Sequence, residues 1–206
     1  MVKILFVCHG NICRSPMAMF VMRDMVKKQG LERSFRIDSA ATSREEIGNP
    51  CYPLARRKLA KEGLSGEGHA ARKMVREDYE NYDYLIGMDD ENLYDMYAIC
   101  EGNDPYSGGW RRRDFSRERT DIQIPRIYDS VKRRGERISL LLDYTKRPGE
   151  VADPWYTGNF DATWRDVTEG CAAFLEYLHR EGYDIRSDGR KTPTDNREKG
   201  ELTECV

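Results

Sequence analysis

The sequence predicts an α/β fold in which an open sheet of four parallel strands carries helices on both of its faces. Three observations support this prediction. Short β-rich apolar runs alternate with stretches that have the periodicity or the end signals of helices, as in strand–helix–strand units. The first run, VKILFVC, is apolar almost throughout, which is typical of a strand buried on both faces. Glycines such as Gly30 and Gly63 follow helical stretches, where helices commonly end.

The elements follow one another along the chain. The first strand ends at Cys8, and a helix begins at Ser15 and Pro16, a capping hydroxyl followed by a proline in the first turn. Further strands are expected at residues 35–40, 82–88 and 137–142. Further helices are expected at residues 52–62, 90–99 and 160–180. In parallel sheets of this kind, ligands bind at the carboxyl ends of the strands, where the residues after Cys8 lie.

The chain of 206 residues is long enough for one domain, which we place at residues 1–186. Residues 101–135 fit the alternating pattern poorly and are interpreted as an insertion, which could be a lid, a docking surface or an inert elaboration. Residues 187–206 are polar with almost no apolar side chains, and we expect a flexible C-terminal tail there.

Composition narrows the class of protein. A net charge of -2 argues against a dominant role in nucleic-acid binding. No apolar run approaches the roughly 18 residues of a membrane span, and the apolar N-terminal stretch is too short for a signal peptide. Six cysteines form no tidy disulfide framework, which favours a reducing cytoplasm, and neither they nor the three histidines show zinc spacing. We therefore expect a cytoplasmic protein without a metal or another cofactor. We also expect a monomer or weak dimer, although composition does not determine this.

The segment CHGNICRSP, residues 8–16, lies between the first strand and its helix. A thiol at this position faces a helix N-terminus and several backbone N–H groups, which lower the pKa of such a thiol. The planar guanidinium of Arg14 suits two oxygens of a phosphoryl group, and Gly10 and Asn11 tolerate the backbone angles that turn N–H groups inward. Ser15 can both cap the helix and donate a hydrogen bond to the sulfur. The sequence thus predicts a phosphate-binding loop after strand 1 that carries its own nucleophile, Cys8. The loop residues are His9, Gly10, Asn11, Ile12, Cys13, Arg14 and Ser15.

Five segments of the chain resemble the low molecular weight protein tyrosine phosphatase family, in the order of that family. They are VCHGNICRSP at 7–16, RIDSAATSREEIGNP at 36–50, GHAARK at 68–73, MDDENL at 88–93 and DPWYTGNFD at 153–161. The resemblance implies hydrolysis of phosphotyrosine, in a protein or a small aryl phosphate, through a cysteinyl-phosphate intermediate. It implies that Cys8 is the nucleophile, that Arg14 binds phosphate and that Asp153 is the general acid. It also implies a hydrogen-bonded network that supports the loop, formed by Asn11, Ser15, Ser39 and His69.

The chemistry of phosphate-ester cleavage agrees with Asp153 as the acid, because the departing oxygen needs a proton. Asp153 precedes Pro154, which favours a loop conformation that can lean over the site. The aromatic residues Trp155 and Tyr156 are expected to form one wall of a slot for the flat substrate ring.

The slot departs from the family pattern on its opposite wall. Many relatives carry an aromatic residue where this chain has Glu45, so stacking on that side should be weaker, and Tyr52 is a candidate to compensate. A second Asp-Pro pair, in DPYSGG at 104–109, is a rival for the acid. We reject Asp104 because it lacks the preceding strand and the following helix that frame Asp153.

Cys13 has two interpretations. It is a small packed residue, or it forms a disulfide with Cys8 under oxidation and so shields the nucleophile from irreversible oxidation. The family resemblance favours the protective role.

Three other functions stay open. Phosphoarginine phosphatases share the resemblance, but relatives of that type carry threonine where this chain has His9. Arsenate reductases share the loop but need two further cysteines in a relay, and Cys51 and Cys100 are too far apart in sequence. A non-catalytic phosphate-binding adaptor should have lost the nucleophile, the arginine or the acid, and all three are present.

Overall fold

The computed structural model describes residues 1–106 and 135–182. In these ranges four strands form one sheet: β1 Val2–Cys8, β2 Phe35–Ala41, β3 Tyr84–Gly87 and β4 Ile138–Leu140. Their order is β2-β1-β3-β4, and every pair of neighbours is parallel. The predicted open parallel sheet is therefore confirmed.

Helices occupy the connections. The described ranges contain α1 Arg14–Lys28, α2 Pro53–Lys61, α3 Arg76–Asn81, α4 Asp90–Cys100, α5 Pro154–Thr157 and α6 Phe160–Arg180. The bounds of α6 are those predicted from its apolar periodicity, whereas the short helices α3 and α5 were not predicted. The predicted strand at 137–142 ends early, at Leu140, because the Asp143 carboxylate accepts a hydrogen bond from the Leu140 N–H and closes a 3-10 turn at Leu141–Tyr144.

Alternate side chains of β1 pack into two separate cores. Ile4 and Phe6 contact residues of α1 and α6, including Phe174, on one face of the sheet. Leu5 and Val7 pack with residues of α3 and α4 on the other face. The helices thus cover both faces, as predicted, because successive side chains of a strand point to opposite sides. Cys8 continues the row of Ile4 and Phe6 and ends β1 on the face that α1 covers.

Two predictions about organisation lie largely outside the described residues. Of the predicted insertion at 101–135, the structure describes residues 101–106 and 135, and the predicted tail at 187–206 is not described. Within residues 1–106 and 135–182, no helix has the length and apolar character that crossing a membrane requires.

Candidate active site

The loop between β1 and α1 wraps around the sulfur of Cys8. Asn11 has a φ of 58°, a left-handed conformation that asparagine adopts more readily than most residues. This turn directs the Asn11 N–H at Cys8 Sγ, 3.3 Å away. The segment after β2 fastens the loop, because Thr42 N–H donates to the Cys8 carbonyl at 2.9 Å and Ser43 N–H donates to the His9 carbonyl at 3.0 Å.

The Ser15 hydroxyl contacts the Cys8 sulfur and does not cap helix α1. Helix α1 begins at Arg14 with Cys13 as its N-cap, so the prediction that Ser15 caps the helix is wrong. The Ser15 hydroxyl lies inside the first turn, 3.0 Å from Cys8 Sγ, and accepts a hydrogen bond from Asn11 Nδ2 at 2.9 Å. A hydroxyl in this place can donate to a thiolate, which favours the reactive form of a cysteine.

The loop is supported from behind by residues near position 70. The Arg72 N–H donates to Asn11 Oδ1 at 3.2 Å, and His69 Nε2 lies 2.6 Å from the Asn11 carbonyl oxygen. Since a carbonyl can only accept, His69 carries a proton on Nε2. Burial lowers the pKa of His69 by more than the hydrogen bond to Asn11 raises it, which favours the neutral ring.

Ser39 was predicted in this network, and the structure does not place it there. Its hydroxyl donates to Met19 Sδ at 3.6 Å. The reason is register, because Ser39 pairs with Phe6, two residues before Cys8 and about 7 Å short of it along the strand. Strand β2 contributes the carbonyl of Ala40 instead, 3.4 Å from the Ser15 hydroxyl.

The guanidinium of Arg14 is buried between two carboxylates. Arg14 is 5% exposed, and its Nη1 and Nη2 lie 2.5 Å from Asp89 Oδ2 and 2.7 Å from Asp153 Oδ2. Burial alone would lower the pKa of Arg14, but neighbouring Cys8, Asp89 and Asp153 together raise it. The arrangement therefore holds a permanent cation beside Cys8.

Asp89 is a site residue that the sequence reasoning missed. It is the N-cap of α4, where its Oδ1 accepts from the Asn92 N–H at 2.7 Å while its Oδ2 binds Arg14. The signal was present, because Asp89 follows β3 at the carboxyl edge of the sheet, where ligands of parallel sheets bind.

Asp153 contacts Arg14 from a loop that several hydrogen bonds hold in place. Its Oδ1 accepts from the Trp155 N–H at 2.8 Å and caps the short helix α5. The preceding residue, Ala152, is held by α6, because its N–H donates to Asp166 at 3.0 Å and its carbonyl accepts from Thr163 at 2.8 Å. Asp153 is thus presented to the site from a firmly held loop.

Asp104, the rival acid, has different partners. Its carboxylate binds Lys73 Nζ and Arg44 Nη2, each at 2.8 Å. These bonds lower the pKa of Asp104, and the hydrogen bond with Lys73 has the largest effect. Of the two Asp-Pro pairs, the structure brings only the one at Asp153 to Arg14.

A cavity of about 540 Å³ opens over the loop, within the range of small-molecule sites. Its lining includes the predicted loop and slot residues Cys8, His9, Gly10, Ile12, Cys13, Arg14, Glu45, Asp153, Trp155 and Tyr156. The aromatic pair is open to solvent, with Trp155 58% and Tyr156 87% exposed. Tyr52 does not replace an aromatic residue on the Glu45 wall, because its ring packs edge-on against Trp155, 5.5 Å between centroids, and stacks on Phe160.

Cys13 is a buried free thiol that lines this cavity. Burial and the neighbouring Cys8 raise the pKa of Cys13, so it is held as a thiol. Among residues 1–106 and 135–182, no group of three or more His, Cys, Asp or Glu side chains is arranged to hold a metal ion.

Comparison with known proteins finds one family along the chain. The family model described as Low molecular weight phosphotyrosine protein phosphatase matches residues 3–111. The chain is 33% identical over 183 residues to the low molecular weight protein-tyrosine-phosphatase YfkJ of Bacillus subtilis, covering 88% of this chain and 98% of the relative. It is 33% identical over 180 residues to the low molecular weight phosphotyrosine protein phosphatase of Homo sapiens, covering 86% and 96%.

Solved structures of proteins with this description superpose on the chain. The crystal structure of YfkJ superposes with a TM-score of 0.70 at 32% identity, covering 88% of this chain and 97% of that chain. The low molecular weight protein tyrosine phosphatase of Streptococcus pyogenes superposes with a TM-score of 0.61 at 29% identity, covering 87% and 93%.

Proposed function

Because the chain belongs to the low molecular weight phosphotyrosine protein phosphatase family and is an enzyme of that class, we propose that it hydrolyses phosphotyrosine through a cysteinyl-phosphate intermediate. The substrate is a phosphotyrosine-containing protein or a small aryl phosphate. The proposal rests on the observation that Cys8, Arg14 and Asp153 line one cavity. In that cavity Arg14 forms an ion pair with Asp153, and the Asn11 N–H donates to the Cys8 sulfur.

In the first step the Cys8 thiolate attacks phosphorus. The sulfur–phosphorus bond forms as the bond from phosphorus to the phenolic oxygen breaks, and Asp153 gives that oxygen its proton. The Asn11 N–H and the Ser15 hydroxyl, at 3.3 and 3.0 Å from the sulfur, stabilise the thiolate before attack. Cysteinyl phosphate and a phenol result, with Asp153 left as a carboxylate.

Arg14 stabilises the charge that spreads over the phosphoryl oxygens during transfer. Its guanidinium presents several N–H groups in one plane, which fits two of those oxygens. The carboxylate of Asp89 holds this plane in place through Nη1. Fixed donors of this kind lower the barrier because they need no reorganisation during the reaction.

In the second step water attacks the phosphorus of the intermediate. Asp153, now a carboxylate, takes a proton from that water, the sulfur–phosphorus bond breaks, and Cys8 returns as a thiolate with release of inorganic phosphate. The same residue thus donates a proton in one step and removes one in the next.

The test compares the parent with Cys8→Ser on phosphotyrosine, phosphoserine and phosphoarginine. We expect the parent to prefer phosphotyrosine and Cys8→Ser to release no phosphate, while the variant still binds inorganic phosphate through Arg14 and the loop N–H groups. Turnover by Cys8→Ser within tenfold of the parent would contradict the covalent mechanism. A preference for phosphoarginine would contradict the assigned substrate.

A further inference from the structure

The hydroxyl of Tyr106 joins three parts of the active-site rim. It lies 2.6 Å from Asp95 Oδ2 of α4, 3.0 Å from His9 Nδ1 of the loop and 3.3 Å from Thr42 Oγ1 after β2. Tyr106 belongs to the predicted insertion, 97 residues along the chain from His9. A residue from outside the alternating strand–helix pattern therefore contacts the residue next to the nucleophile.

The direction of these hydrogen bonds fixes the orientation of the His9 ring. A carboxylate can only accept, so Tyr106 donates its single proton to Asp95, which is 1% exposed. The tyrosine oxygen then accepts from His9, which places a proton on Nδ1. With Nδ1 held by Tyr106, Nε2 points to Glu45 Oε2, 3.2 Å away.

The two rings also pack against each other. The His9 and Tyr106 centroids are 5.5 Å apart with the planes at 79°, an edge-to-face contact. Tyr106 is itself anchored, because its N–H donates to Asp104 Oδ1 at 3.1 Å and Asp104 binds Lys73 and Arg44. The imidazole is thus held between an anchored tyrosine and Glu45.

The ring of His9 belongs to the lining of the cavity. It lines the cavity together with Glu45, Trp155 and Tyr156, and Glu45 supplies a carboxylate on the side where the sequence predicts weaker stacking. We propose that Tyr106 is a positioning residue that holds the His9 imidazole as the second wall of the slot, so that His9 sets the preference for an aryl group. This inference rests on the proposed function for its substrate and assigns a role to the start of the predicted insertion.

The test measures binding of benzylphosphonate and methylphosphonate, which share the anionic group and differ in the ring. For the parent, Tyr106→Phe and His9→Ala, the ratio of the two dissociation constants is obtained by NMR titration. Loss of one aromatic contact should reduce the preference for the benzyl compound about 2- to 12-fold in His9→Ala, with a smaller loss in Tyr106→Phe. Because the two compounds share the anionic group, a change in the binding of that group alters both dissociation constants and leaves their ratio unchanged.

Matched variants separate positioning from general damage. Tyr82→Phe also removes a hydroxyl that donates to an aspartate, Asp38 at 2.7 Å, but far from the cavity, and should leave the ratio unchanged. In His9→Ala the further change Tyr106→Phe should have no effect on the ratio, because the ring it positions is absent. His9→Phe should restore the preference.

Three results would overturn the inference. Tyr106→Phe could weaken both phosphonates equally, its effect could persist undiminished in His9→Ala, or His9→Ala could keep the full preference. Failure of the proposed function is seen separately, because phosphonate binding needs no turnover. A parent protein that prefers benzylphosphonate and does not hydrolyse phosphotyrosine contradicts the proposed function alone.

Discussion

Replacing Asp153 with asparagine should make the rate depend steeply on the leaving group, whereas the same change at Asp89 should not. The two carboxylates are alike in their bonds, since each binds Arg14 with one oxygen and a backbone N–H with the other. They differ in position. Asp153 is 27% exposed and precedes the cavity-lining residues Trp155 and Tyr156, while Asp89 is 15% exposed and caps α4. On the proposed mechanism we therefore expect Asp153, and not Asp89, to protonate the leaving oxygen.

The size of the effect follows from general acid catalysis, which contributes about 10²- to 10⁴-fold. For phenyl phosphate, whose phenolate is a poor leaving group, Asp153→Asn should lower kcat/KM by about 10²-fold or more. For p-nitrophenyl phosphate, whose leaving group needs little protonation, the loss should stay within about tenfold. Asp89→Asn keeps an oxygen for the Asn92 N–H and acts through Arg14, so it should change all aryl phosphates by one common factor.

The assay is kcat/KM for a series of aryl phosphates at one pH, plotted against the pKa of the leaving phenol. The parent and Asp89→Asn should give shallow, parallel lines, and Asp153→Asn a steep one. Asp104→Asn serves as the control, because Asp104 binds Lys73 and Arg44 and should leave the slope unchanged. A steep line for Asp89→Asn with a shallow one for Asp153→Asn would assign the acid to Asp89 and refute our reasoning.

Three further predictions concern the loop. Peroxide should inactivate the parent reversibly through a Cys8–Cys13 disulfide seen by peptide mass mapping, whereas Cys13→Ser should lose activity that thiol reductant does not restore. Ser15→Ala should lower kcat/KM at least about tenfold, because it removes a hydroxyl 3.0 Å from the sulfur, with an unchanged circular dichroism spectrum. Folding lowers the pKa of His69, so the unfolded chain binds the proton more tightly than the folded chain. The contribution of His69 to the free energy of unfolding is therefore fully present above about pH 6.5 and is lost as the pH falls below that value. Urea unfolding of His69→Gln should accordingly vary less between about pH 7.5 and 5.5 than that of the parent.

Local sequence patterns were enough for most of the sheet and its main helices. The apolar period of α6 predicted both of its ends, and VKILFVC predicted a buried β1. The errors arose where a side chain competes with the regular pattern. The Asp143 carboxylate ends β4 early, and Ser15 lies inside the first turn of α1, so it does not cap that helix. The predicted contact of the Ser15 hydroxyl with the Cys8 sulfur is confirmed.

Contacts between residues far apart in the sequence were harder to predict than the loop itself. Asp89 could have been found from its place at the carboxyl edge of β3. The contact of Tyr106 with His9 has no comparable signal, because it joins an irregular segment to the loop across the fold. Ser39 was misplaced because the family resemblance does not give the register of β2 against β1, which sets how far each side chain lies from Cys8.

The charges around Arg14 lead to a last prediction about the binding of inorganic phosphate. On the proposed mechanism Asp153 must carry a proton to act as the acid, and in that form it cannot keep its ionic bond to Arg14 Nη2 at 2.7 Å. Losing that bond makes Nη2 available to a phosphoryl oxygen, while Asp89 still holds Nη1. The asparagine side chain of Asp153→Asn carries no charge at any pH. This variant should therefore bind inorganic phosphate at least as tightly as the parent, although it hydrolyses phenyl phosphate slowly. Competitive inhibition by phosphate measures this. Clearly weaker inhibition of Asp153→Asn, with Asp104→Asn equal to the parent, would mean that Asp153 helps to hold the anion and does not compete with it for Arg14.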